Sequence, residues 1–110
     1  MSSERLIRTL NCDLPRFKSS FQRLKPDIEK EARRALGEMV LIDIDAPPAK
    51  LHLHTLTNRQ VTSVLDPTKK VNVYTVHLTS NDAYKANFTF EGGCAYLRDC
   101  GTHADIDKSP

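Results

Sequence analysis

The chain has 110 residues and a formal net charge of +2, from 16 Lys and Arg against 14 Asp and Glu. That size supports one hydrophobic core and leaves no room for a second, and so mild a charge does not by itself diagnose a nucleic-acid binder. Hydrophobic residues make up 39% and aromatics 6%, with no Trp, so the core is aliphatic with a few Phe and Tyr. The longest apolar run, Met39-Val40-Leu41-Ile42, falls far short of the ~20 residues of a membrane span. Met1-Ser2-Ser3-Glu4-Arg5 lacks the apolar stretch of a secretory leader, and a cytoplasmic location is expected. Cys12, Cys94 and Cys100 lack metal-ligand spacing; the last two fall on one predicted strand, too far apart to pair, and all three read as reduced structural thiols.

Leu6, Ile7 and Leu10 predict a short strand over about residues 5–11. Asp13 is placed to cap a helix with Pro15 in its first turn, and Phe17, Phe21 and Leu24 then recur at i, i+4, i+7 as one apolar stripe. Pro26 interrupts this helix and suits the start of a second, whose buried face is Ile28, Ala32, Ala35, Leu36 and Met39, with Gly37 weakening it. Arg16, Lys18, Arg23, Lys25, Lys30, Arg33 and Arg34 crowd this hairpin, with Asp27, Glu29 and Glu31 interleaved, which reads as a solvated helical face.

Asp45-Ala46-Pro47-Pro48 ends the helical region. Strands are predicted at about 51–56, 71–78, 84–90 and 94–100, with turns at 79–83 and at Glu91-Gly92-Gly93. Residues 58–70 are polar and read as a loop insertion, with room for a short strand at 61–64; residues 104–110 read as a flexible tail. The order β-α-α-β-β-β predicts one α+β domain over 1–110. An N-terminal strand and a helical hairpin precede a mostly antiparallel sheet of three to four strands, the hairpin on one face.

Strand parity then sorts the polar groups. Tyr74, Val76 and Leu78 form one apolar set, and Tyr84, Ala86, Phe88 and Phe90 another. Thr75, His77, Lys85, Asn87 and Thr89 are left facing away, with His52 and His54 opposite Leu51 and Leu53. Histidines gathered on the solvent side of a sheet suit proton transfer, because imidazole titrates nearest neutrality. A bulge of one residue would overturn this parity for any strand.

Several segments carry a resemblance across nearly the whole chain: residues 17–24 with 32–36, Leu51-His52-Leu53-His54-Thr55-Leu56, Val73-Tyr74-Thr75-Val76-His77, Tyr84-Lys85-Ala86-Asn87-Phe88 and Leu97-Arg98-Asp99-Cys100-Gly101-Thr102-His103-Ala104-Asp105. In this order they resemble the RelE/ParE superfamily of toxins from type II toxin–antitoxin systems, and the histidine pattern looks most like the YafQ-like branch. The resemblance implies a curved RelE-like microbial RNase fold and a ribosome-dependent mRNA endonuclease that works by attack of a ribose 2′-hydroxyl on the adjacent phosphate. Carried over by position, it implies catalytic roles for His54, His77, Asp82 and His103, and substrate or phosphate contacts from Lys85, Arg98 and His52. It implies neither metal nor cofactor. Its expected partners are a cognate antitoxin protein, the ribosome and mRNA, with no membrane; oligomeric state is left open. The sequence departs from the family pattern in the 58–70 stretch, in Lys85 where many relatives carry arginine, and in Asp107 where an apolar or aromatic residue is common. A gyrase-inhibiting toxin of the ParE kind and a non-catalytic protein-binding relative are the alternative readings. A metal site built from His52, His54, His103 and Asp105 is the competing use of the same residues.

Overall fold

Prolines start both helices in the computed structural model, which describes residues 6–79, 83–103 and 106. Helix α1 is Pro15–Gln22 and helix α2 is Pro26–Met39, each with proline in its first turn, where the missing N–H would have no intrahelical partner anyway. Asp13 is not the cap expected of it: Leu14 is the N-cap, with no side-chain cap bond, and the Asp13 N–H donates to Asn11 Oδ1 at 2.9 Å. Asp27 and Glu29 lie in the first turn of α2, where the helix dipole favours acids, and Glu29 also pairs with Arg33 at 2.8 Å.

The described residues hold five strands, the first ahead of the helices: β1 Thr9–Asn11, β2 His54–Thr62, β3 Lys70–His77, β4 Tyr84–Glu91 and β5 Cys94–Thr102. They form one sheet in the order β1-β5-β4-β3-β2, with β1 parallel to β5 and every other pair antiparallel. The class is α+β, two helices with an open mixed sheet of more strands than predicted.

Two boundaries differ from expectation. The first strand keeps only three residues in the sheet, because Leu6 instead bridges Asp43 and the Ile7 N–H donates to Ile42 O at 3.0 Å. The second begins at His54, since Ala49–Leu51 forms a 3-10 turn, and it runs on through part of the predicted loop to Thr62. There Gln60, Val61 and Thr62 pair with Asn72, Val71 and Lys70 across a register shift, and Gln60 Nε2 donates to Asn72 Oδ1 at 3.1 Å. At the β4–β5 turn Gly92 and Gly93 take φ of 58° and 80°, which glycine adopts without a Cβ penalty.

The helices cover one face of the sheet. Phe17, Ala32, Ala35, Leu36 and Met39 pack with Tyr74, Val76, Leu78, Ala86, Phe88, Ala95 and Leu97 in one cluster. Because β1 meets β5 only at Cys94–Tyr96, the rest of that strand's outer edge would be bare. Helix α1 covers it: Ser20 Oγ accepts the Cys100 N–H at 3.2 Å and donates to Phe17 O at 3.1 Å, and Arg16 pairs with Asp99 at 2.9 Å. Ser20→Ala is expected to cost about 1 kcal/mol, the net worth of one buried hydrogen bond whose donor keeps a second acceptor in Asp99 Oδ1. Denaturant titration checks this, and an unchanged midpoint would show that the contact contributes nothing.

The opposite face carries the predicted parity but not the predicted exposure. Thr75, Lys85, Asn87 and Thr89 are only 0–2% accessible instead of solvent-facing. Ile106, expected in a flexible tail, is itself 1% accessible. A Cβ built on Gly101 would lie 3.9 Å from Ile106 Cδ1, and Gly101 pairs with Lys85, so Ile106 rests on the Lys85 side of the sheet. Among the described residues no helix is long and apolar enough to cross a membrane.

Candidate active site

Sheet register assembles the second face in rows. His54 on β2 pairs with Thr75 on β3, which pairs with Asn87 on β4; one step along, His77 pairs with Lys85, and Lys85 with Gly101. Residues directly opposite each other share a face, so the histidines of β2 and β3 and the polar residues of β4 are brought together by register alone.

His52 reaches the same place by another route. It ends the 3-10 turn in the left-handed region, with φ 46° and ψ 41°, its N–H donating to Ala49 O at 3.1 Å. That conformation takes it out of the strand alternation, and its ring stacks on His77 with centroids 4.5 Å apart and planes 18° apart. His77 in turn meets His103 edge-on, at 5.9 Å and 71°. The His103 N–H donates to Ala83 O at 3.1 Å, which holds the residue just past the end of β5. Lys85 Nζ lies 3.5 Å from His103 Nε2. An ammonium only donates, so this contact needs Nε2 as acceptor, and the neutral ring then carries its proton on Nδ1.

His54 stands beside this cluster, not within it. Its exposed ring is held by two contacts, Nδ1 to His52 O at 3.0 Å and Nε2 to Thr75 Oγ1 at 3.3 Å. The carbonyl can only accept, so Nδ1 donates, and in the neutral ring Nε2 accepts a hydrogen bond from the Thr75 hydroxyl. Thr75 is thus a positioning residue that its small, common side chain gave no reason to single out. The structure therefore gathers His52, His77, His103 and Lys85, and places His54 one row away. Asp82 and Asp105 lie outside the described residues.

Arg98 owes its place to a bulge. Asn87 pairs with Asp99 but Phe88 pairs with Leu97, so Arg98 is the extra residue of β5 and, with Asp99, opposes Asn87. Its Nε is buried without a hydrogen-bond partner among the described residues. Burial and then the nearby Arg16 charge push its pKa below the usual guanidinium value, while Glu91 acts the other way. The Asn87 amide is in the same condition, fully buried with neither Oδ1 nor Nδ2 partnered among the described residues. Asn87 had no place among the site residues read from sequence; its only signal there was its position two residues after Lys85 on the same face.

None of the three thiols is in a disulfide, and burial pushes those of Cys12 and Cys100 up, which favours the protonated form. Among the described residues no group of three or more His, Cys, Asp or Glu side chains converges as metal ligands. The arrangement offers imidazoles that can exchange protons, a lysine beside one of them, and an arginine held by a bulge. No protein-family model, curated protein or solved structure matches the chain.

Proposed function

We propose that this chain is the toxin of a toxin–antitoxin pair, an mRNA endonuclease that acts on the ribosome and stops translation. The observation that carries the reading is the junction of His52, His77 and His103 with Lys85 against His103 Nε2 at 3.5 Å. In this reading an imidazole in its neutral form, or Asp82, takes the proton of a ribose 2′-hydroxyl as that oxygen attacks the adjacent phosphate. A second imidazole, protonated, gives its proton to the departing 5′-oxygen. The products are a 2′,3′-cyclic phosphate and a 5′-hydroxyl end. Lys85 and Arg98 offset the charge that grows on the phosphorane, as preorganised cations do in a site shielded from water. The α+β class, two helices with an open mixed sheet, is the coarse part of the fold that the resemblance implies.

Induced expression is expected to stop protein synthesis before DNA synthesis, with mRNA ends appearing within codons only while translation runs. Pulse labelling with both precursors, and mapping of mRNA ends with initiation blocked or allowed, test this. DNA synthesis failing first would support the gyrase-inhibitor reading instead.

A further inference from the structure

An amide buried without a partner is expensive, on the order of 1–3 kcal/mol, and each such group in a folded chain calls for an explanation, a role in the site being one. Asn87 sits in the middle of the polar face, in the row of His54 and Thr75 and next to the row of His77 and Lys85. Along β4 it follows Lys85 by two residues on the same face, about 7 Å away by strand geometry, and Arg98 opposes it from the bulge in β5. A neutral group that offers one donor edge and one acceptor edge is thereby set between two cations.

We infer that Asn87 reads the base of the substrate nucleotide while Lys85 and Arg98 hold its phosphates. An unpaired base presents adjacent donor and acceptor atoms on one edge, which the Oδ1 and Nδ2 of a single amide satisfy together. A phosphate offers acceptors only and would leave Oδ1 unpaired, so the phosphates belong to the flanking cations. Ile106, with its Cδ1 3.9 Å from where a Cβ on Gly101 would lie, sits at the Lys85 end of this face, and nucleotide access to the buried amide requires the face to open. The role rests on the endonuclease reading above and adds to it the residue that sets base preference.

The test compares the wild type with Asn87→Leu and Asn87→Asp, reading both melting temperature and ribosome-programmed cleavage of mRNAs that differ in one A-site base. The wild type is expected to favour one base by about tenfold or more. Asn87→Leu, close in shape, is expected to bring that preference within about threefold while Tm stays level or rises, since it removes an unpaired polar group. Asn87→Asp, which turns the donor edge into an acceptor, is expected to change which base is favoured. Wild-type preference retained in both variants overturns the inference and leaves the enzyme reading standing. So does a large fall in Tm for Asn87→Leu with preference intact, because that is the signature of a structural role. A wild type that cleaves no mRNA removes both, and does so before any variant is compared.

Discussion

Replacing His103 with alanine is expected to lower ribosome-programmed cleavage by about 10²-fold or more, the usual scale for a lost general acid or base. His103 is where the site's contacts converge, edge-on to His77 and 3.5 Å from Lys85 Nζ. Its half-buried ring lies outside the main core cluster, and its backbone bond to Ala83 does not depend on the side chain, so the fold should survive. His77→Ala is expected to lose as much. His52→Ala removes the ring stacked on His77, and a loss of ~10-fold is expected from misplacing that imidazole. His54 is expected to matter less than the sequence pattern implies, because its Nε2 is already engaged by Thr75. The measurement is cleavage by the four single variants at matched concentration, with melting temperatures taken in parallel. If His77→Ala and His103→Ala both cleave like the wild type while folded, the histidine assignment is lost.

What the sequence discloses here is mostly periodicity, and what it hides is mostly register. Phe17 and Phe21 of the predicted stripe, the proline starts and the glycine turn all correspond to elements of the structure, because each has a local physical cause, whereas Leu24 falls past the end of α1 at Gln22. Alternation along β3 and β4 likewise assigns Tyr74, Val76, Ala86 and Phe88 to the helix-covered core and His77, Lys85 and Asn87 to the other face. The left-handed turn at His52 has no such marker. Its Leu-His-Leu-His context reads as a strand, yet the 3-10 turn after Pro48 sets the conformation, and the strand starts only at His54. The bulge at Arg98 is equally silent, since it follows from pairing with β4 and from α1 docking on the edge of β5. Burial of Lys85 and Asn87 was hidden for a related reason: it depends on how residues distant in sequence pack on that face.

Glu91→Ala is expected to destabilise the fold by about 2–4 kcal/mol, because several hydrogen bonds end on that one carboxylate. Ser63 Oγ and Thr89 Oγ1 donate to it, as do the N–H groups of Val64, at 3.0 Å, and Leu65, at 3.4 Å. It therefore ties the turn between β2 and β3 to the far end of β4. Burial acts to raise the pKa of Glu91, but the hydrogen bonds from Ser63, Val64, Thr89 and Leu65 outweigh it and hold the carboxyl below its ordinary value. The sign of the pH effect follows. A carboxyl depressed on folding adds stability that is complete above its unfolded pKa, about 4.3 for glutamate, and that is lost as pH falls through the folded value. Glu91→Gln keeps the shape and removes the charge, so the gap in stability between wild type and variant should be widest near neutrality and close on acidification below about pH 4.3. Comparing the two proteins matters, because the Asp66 carboxyl in the same turn is also lowered, by its bonds from Thr68, and would titrate in both alike. Denaturant midpoints for both proteins across this range make the measurement. A gap that stays constant with pH, or a Glu91→Ala protein as stable as the wild type, would show that the turn is held by something other than this charge. Glu91 lies at the opposite end of β4 from Lys85, although its charge acts on Arg98, so below its lowered Tm the Glu91→Ala protein should still cleave mRNA at a reduced rate. Loss of cleavage in a folded Glu91→Ala protein would instead mean that the two ends of this sheet face are coupled.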